Sequence, residues 1–167
     1  MNYVSFGNFV TQLGIVYSSH ASTTLGKDHW VVKKEFRYYV DGDKEKVVIV
    51  PRGFLTDGAT VPRLFWGIIP PWGKYGQAVV LHDYLCEFGG FWNYGRWETL
   101  RREDADRIFR SALEELGVGS FTRNLMYGAV SLFTKFAKFR GTPKHYKTKR
   151  VLEKEMVLVH EKTGLWI

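Results

Sequence analysis

The residues best placed to do chemistry are an adjacent pair, His82-Asp83, inside an apolar run, Val79-Val80-Leu81-His82-Asp83-Tyr84-Leu85. On a helix, successive side chains project about 100° apart, so the two cannot both face open solvent if most of that helix is buried. An unpartnered buried carboxylate is costly, so a metal ion, an arginine or a hydrogen-bond network must compensate Asp83. Arg63 and Arg107 are the arginines that would satisfy it as a structural pair. Asp106, on the next helical stretch, sits beside Leu113 at the border of an apolar stripe, where an inward-leaning carboxylate could face His82. A His oriented by one carboxylate, beside a second that holds a cation, is a way to activate water. In that arrangement Asp106 orients the ring, His82 takes the proton and Asp83 binds a divalent cation, calcium or zinc.

A second polar feature is the loop Thr56-Asp57-Gly58-Ala59-Thr60-Val61-Pro62-Arg63. Asp57 there could cap a turn or present another metal-binding carboxylate, with Thr56 and Arg63 beside it as binding residues. Cys86 falls one helical turn after His82 and could reach the same place, although small apolar filler is the simpler role for it. The segment Gly89-Gly90-Phe91-Trp92-Asn93-Tyr94-Gly95-Arg96-Trp97 is aromatic, and Trp92, Tyr94 and Trp97 either fold over the core or form a rim that grips a partner. The other histidines, His20, His29, His145 and His160, lack ligand spacing. There is no His-Glu-x-x-His, phosphate-binding glycine loop or serine elbow.

The elements that must position these residues read as β first and α second. His29 to Val40 is rich in β-branched and aromatic residues, Asp41-Gly42-Asp43 supplies a turn, and Val47 to Val50 answers as the second strand of a hairpin. Gly53 to Thr60 reads as loop. Three helical stretches follow: 75–88; 101–117 with Ala105, Ile108, Phe109, Ala112, Leu113 and Leu116 on one stripe; and 121–139 with Leu125, Ala129, Leu132, Phe133 and Phe136 as its apolar side. The ending, Met156 to Ile167, reads as strand, turn and strand. The expectation is an α+β fold: an N-terminal antiparallel hairpin or small sheet, a three-helix half, and a basic C-terminal arm. Residues 1–140 would form one domain and 141–167 the extension.

Charge is concentrated. The 167 residues hold 24 Lys+Arg against 17 Asp+Glu, a formal +7. Residues 116–152 hold no acid and eight bases: Arg123, Lys135, Lys138, Arg140, Lys144, Lys147, Lys149 and Arg150. The rest of the chain is near neutral. Such a patch suits an anionic partner, nucleic acid or lipid, or an acidic protein surface, unless it is only a solvated helix face. A single cysteine excludes an internal disulfide framework and a multi-cysteine zinc site, and points to a reducing compartment. No run approaches the roughly 20 apolar residues that span a bilayer, and the first residues lack the features of a signal peptide.

The run Val50-Pro51-Arg52-Gly53-Phe54-Leu55-Thr56-Asp57-Gly58-Ala59-Thr60-Val61-Pro62-Arg63 resembles the signature of a phage and prophage family, domain of unknown function 1353. Leu81-His82-Asp83-Tyr84-Leu85 and Ala105-Asp106-Arg107-Ile108-Phe109 are similar to its second and third blocks. Cys86 stands where that family usually carries an aromatic residue. The resemblance implies a phage origin, hence the host cytoplasm or the virion, and no particular reaction. The His-Asp helix is also similar to that of phospholipase A2, which implies His82 as base, Asp83 as calcium ligand and Asp106 as orienting carboxylate. The cysteines and the glycine-rich calcium loop of the secreted enzymes are missing, so the Asp57 loop would have to replace that loop. Three functions follow as expectations: a metal-assisted hydrolase; a tail or baseplate subunit assembled with other phage proteins; or a phage protein that binds a host factor or nucleic acid.

Overall fold

The computed structural model describes residues 5–58, 72–137 and 146–167. Ala59 to Arg63, Lys138, Arg140, Lys144 and His145 lie outside these residues. The fold is α+β. Its N-terminal half supplies β1 (Ser5–Phe6), β2 (Phe9–Val10), β3 (Ile15–Tyr17), helix α1 (Ser19–Leu25), β4 (Trp30–Val32), β5 (Phe36–Tyr39), β6 (Lys46–Val50) and β7 (Leu55–Thr56). Then come α2 (Gly76–Phe88), a hairpin of β8 (Gly90–Asn93) and β9 (Arg96–Thr99), α3 (Arg102–Glu115), α4 (Ser120–Ala137) and α5 (Tyr146–Thr163). Among the described residues, the strands form a six-stranded sheet, β1-β2-β5-β6-β8-β9, and a three-stranded sheet, β3-β4-β7.

The β5–β6 hairpin forms where expected, with Phe36 opposite Val50 and Tyr39 opposite Val47. Asp41 and Gly42 turn it with φ of 55° and 73°, the left-handed conformation that Asp and Gly tolerate best. Two expectations change here. His29 to Val40 is two strands in two different sheets, because exposed Lys33, Lys34 and Glu35 interrupt the alternation of buried positions. The segment after Gly53 contains β7, whose Thr56 pairs with Trp30 of β4, so Thr56 is held in a sheet and is not a loop residue.

The helices pack as a layer against the sheets. α2 is buried along most of its length, including Ala78, Val80, Leu81 and Leu85. α3 turns Ala105, Asp106, Phe109, Ala112 and Leu113 inward, as the stripe predicts. Its last turn is tied to the sheet by Glu115, which accepts hydrogen bonds from the Asn8 side chain at 2.6 Å, the Asn8 amide at 2.9 Å and the Tyr38 hydroxyl at 3.1 Å.

α4 follows the expected stripe at Leu125, which packs against the core, and departs from it further along. Met126 and Thr134 are buried, whereas Leu132, Phe133 and Phe136 of the expected core stripe are exposed, Phe136 by 63%. Positions 126, 130 and 134 share one face, and packing against α3 selects that face although it carries a threonine.

α5 is the larger correction. The expected arm and its strand–turn–strand ending are instead one helix from Tyr146 to Thr163. Lys149, Leu152 and Met156 fall at helical spacing and are buried, the latter two in a cluster with Ala21, Val31 and Leu55. Lys149 meets Glu87 of α2 at 2.5 Å, Arg150 meets both Glu87 and Glu153 at 2.5 Å, and the Leu55 amide donates to Glu153 at 3.0 Å. Lys149 and Arg150 also lie over the rings of Phe54 and Phe88. These two bases of the expected patch are therefore spent on intramolecular carboxylates, and Lys135 and Lys147 are the exposed members among the described residues.

Candidate functional site at the contact of α2 and α3

His82 and Asp106 come together across the helix contact. The Oδ1 atom of Asp106 is 2.7 Å from Nε2 of His82, with the carboxylate almost wholly buried and the imidazole 13% exposed. Burial alone would push the His82 pKa down. The hydrogen bond that His82 makes to Asp106 and the neighbouring Cys86 outweigh it and raise the value to about 10. The Phe109 ring packs on the imidazole with centroids 4.8 Å apart.

Cys86 belongs to the same cluster. Its Sγ is 3.5 Å from Nε2 and 3.9 Å from Nδ1 of His82, because positions 82 and 86 share one face of α2. Being near both ring nitrogens, the thiol is not aligned with a single in-plane lone pair. That geometry does not serve proton transfer from thiol to imidazole.

Asp83 faces β7 instead. The Thr56 hydroxyl donates to its Oδ2 at 2.5 Å and accepts the Gly58 amide at 3.2 Å, so β7 and the following turn hold the carboxylate. Burial, reinforced by the charge of Asp57, raises the Asp83 pKa to about 7 against the opposing Thr56 hydrogen bond. Asp57 is ion-paired with Lys27. Over this turn the Trp30 and Trp72 rings meet edge to face at 5.2 Å, and Gly58 has a φ of 72° that favours glycine, with a Cβ there only 3.2 Å from Trp72. Asp83 and Asp57 thus influence each other, yet each has its own hydrogen-bonded or charged partner. Arg107, the other expected partner of Asp83, pairs with Asp104, and Arg63 lies outside the described residues.

The aromatic segment extends the sheet. Tyr94 and Gly95 turn the β8–β9 hairpin with φ of 47° and 75°. Phe91 enters the core, while Trp92 and Trp97 pair across the strands, edge to face at 5.5 Å and partly exposed. Tyr94 is exposed at the tip. These three residues belong to the hairpin, whereas His82 and Asp106 sit on α2 and α3. Sequence reasoning did not single out Glu87, the buried partner of Lys149 and Arg150 on α5. It also treated Cys86 as filler, although its i, i+4 spacing from His82 was the available signal.

Residues 30–130 match a family described as "Protein of unknown function (DUF1353)". The chain belongs to that family. His82, Asp83, Cys86 and Asp106 all fall inside the DUF1353 region, whereas α5 lies beyond it. The uncharacterized protein y4jT of Sinorhizobium fredii (strain NBRC 101917 / NGR234) is 35% identical over 86 residues, a match covering 50% of this DUF1353 chain and 23% of that relative. The chain therefore spans about a quarter of that protein's length. No solved structure matches it. No helix among the described residues is long and apolar enough to cross a membrane.

Proposed function

We propose that this DUF1353 chain is a metal-assisted hydrolase whose centre lies at the α2–α3 contact. The observation that carries the reading is the buried 2.7 Å pairing of His82 with Asp106, two residues 24 positions apart brought together beside a thiol and a partly open surface. Structural ion pairs are common, but they gain little from a mixed set of imidazole, carboxylate and thiol donors. A divalent cation there would supply a polarised water; His82 and Asp106 would fix its place. The oxygen pair Asp83 and Asp57 is the poorer holder, since Thr56 and Lys27 already engage it.

The test is a panel of nitrophenyl carboxylic and phosphoric esters with and without added zinc or calcium. Metal-dependent turnover that disappears in His82→Ala and Asp106→Asn is expected, with circular dichroism confirming that both variants fold. Equal rates in wild type and variants overturn the reading. A second reading, a subunit of a phage particle, is favoured by the exposed Phe121, Leu132, Phe133 and Phe136 on α4, a surface suited to assembly. Mass spectrometry of purified particles lacking this chain removes it.

A further inference from the structure

The nature of the cation can be argued from the donor atoms, which deepens the hydrolase reading and rests on the same site. His82, Cys86 and Asp106 each offer one ligand atom, and all three atoms lie within 4.8 Å of one another. We infer that these three residues form a zinc-class site, with His82 and Cys86 supplied by one face of α2 and Asp106 by α3.

Chemistry selects the metal. Calcium and magnesium take all-oxygen sets, whereas imidazole and thiolate donors favour zinc and its neighbours. Three protein ligands plus an open position is the pattern of catalytic zinc. Geometry agrees. Zinc–nitrogen and zinc–sulfur bonds of about 2.0 and 2.3 Å at tetrahedral angles place the two donors about 3.5 Å apart. The observed separation of Cys86 Sγ from His82 Nε2 is 3.5 Å. The nitrogen–oxygen edge of such a site is about 3.3 Å, so the 2.7 Å contact between His82 and Asp106 must open by about 0.6 Å, through a turn of the ring and the carboxylate. Cys86 and His82 are only partly buried, which leaves a way in for the ion and a place for water in the fourth position. Asp106 is itself buried, as are Ala105 and Phe109 on the same helix.

Ligation displaces protons: the bond to sulfur forms as the Cys86 S–H proton leaves to buffer, and the bond to Nε2 replaces any proton held there. The experiment is optical. The full chain, stripped with a chelator, is titrated with cobalt(II), and zinc is then added in competition. Expected are one equivalent of tetrahedral cobalt, a sulfur-to-cobalt charge-transfer band and displacement by zinc. Cys86→Ser should lose that band and weaken zinc binding by at least about tenfold, given that even outer-shell changes cost about 10–100-fold. Asp106→Asn should weaken it too, whereas Asp83→Asn should leave stoichiometry and band unchanged. Absence of the band in folded wild type, or its persistence in Cys86→Ser, overturns the assignment. No substrate enters the measurement, so zinc bound with thiolate ligation but no ester turnover would fail the hydrolase reading alone. Turnover without the cobalt band would fail only the ligand set.

Discussion

Replacing Glu87 by glutamine strips the carboxylate that joins α5 to α2. Its side chain is 4% exposed and faces Lys149, 7% exposed, together with Arg150. Breaking a buried pair by neutralising one partner costs about 3–5 kcal/mol, because an uncompensated charge stays behind. Two features temper this. Glu153 remains 3.9 Å from Lys149 and 2.5 Å from Arg150, and the Arg150 side chain is 31% exposed and can turn toward water. The expected loss is therefore near the lower end, about 3 kcal/mol, or roughly 6–12 °C in Tm for a chain of this size. Urea unfolding followed by circular dichroism measures it. Glu161→Gln, which removes the exposed partner of Arg52, is the control and should change stability by less than about 1 kcal/mol. Adding Lys149→Met to Glu87→Gln should recover much of the loss, since no ammonium is stranded and methionine still covers Phe54. A loss below about 1 kcal/mol for Glu87→Gln, or no recovery in the double variant, refutes the docking of α5 through this network.

Asp83→Asn should alter the pH dependence of stability. An acid whose pKa rises on folding, here from 3.8 to about 7, favours the folded state only while protonated. Wild-type stability from this group thus falls as pH rises through that window and levels off above it, so the asparagine variant should be the more stable one near pH 8 by a few kcal/mol, converging near pH 4. A difference independent of pH would contradict the burial argument. Gly90→Ala places a Cβ against the Glu98 carbonyl oxygen and 2.7 Å from the Trp97 indole nitrogen, and a loss of about 1–3 kcal/mol in urea unfolding is expected. Phe136→Ser, on the exposed side of α4, should change stability by less than about 0.5 kcal/mol, whereas Phe109→Ala in the core should cost about 3–5. Similar losses for the two phenylalanines would show that α4 packs through its other face.

The sequence determined what depends on neighbours along the chain. Periodicity placed α2 and α3 to within two residues, the Asp41-Gly42 turn set the hairpin, and the family blocks ran from about residue 30 to about 135, against a family match over 30–130. The facing of His82 and Asp106 was also legible, because Asp106 sits at the border of an apolar stripe, where an acid that leans inward needs a partner. Only the tertiary structure decided the rest. Whether the apolar side of α4 turns inward depends on which face fits α3, and two faces of that helix carry apolar residues. Whether eight clustered bases form a binding patch depends on carboxylates far away in sequence: Glu87 lies 62 positions before Lys149 and neutralises it. Cys86 becomes a candidate ligand only once α3 brings a carboxylate to the imidazole that shares its helix face. Local pattern fixes α2, α3 and the hairpin, where spacing and turn residues are unambiguous. Long-range pairing, which a one-dimensional spacing does not encode, chooses the partner of each charge and therefore the chemistry open to it.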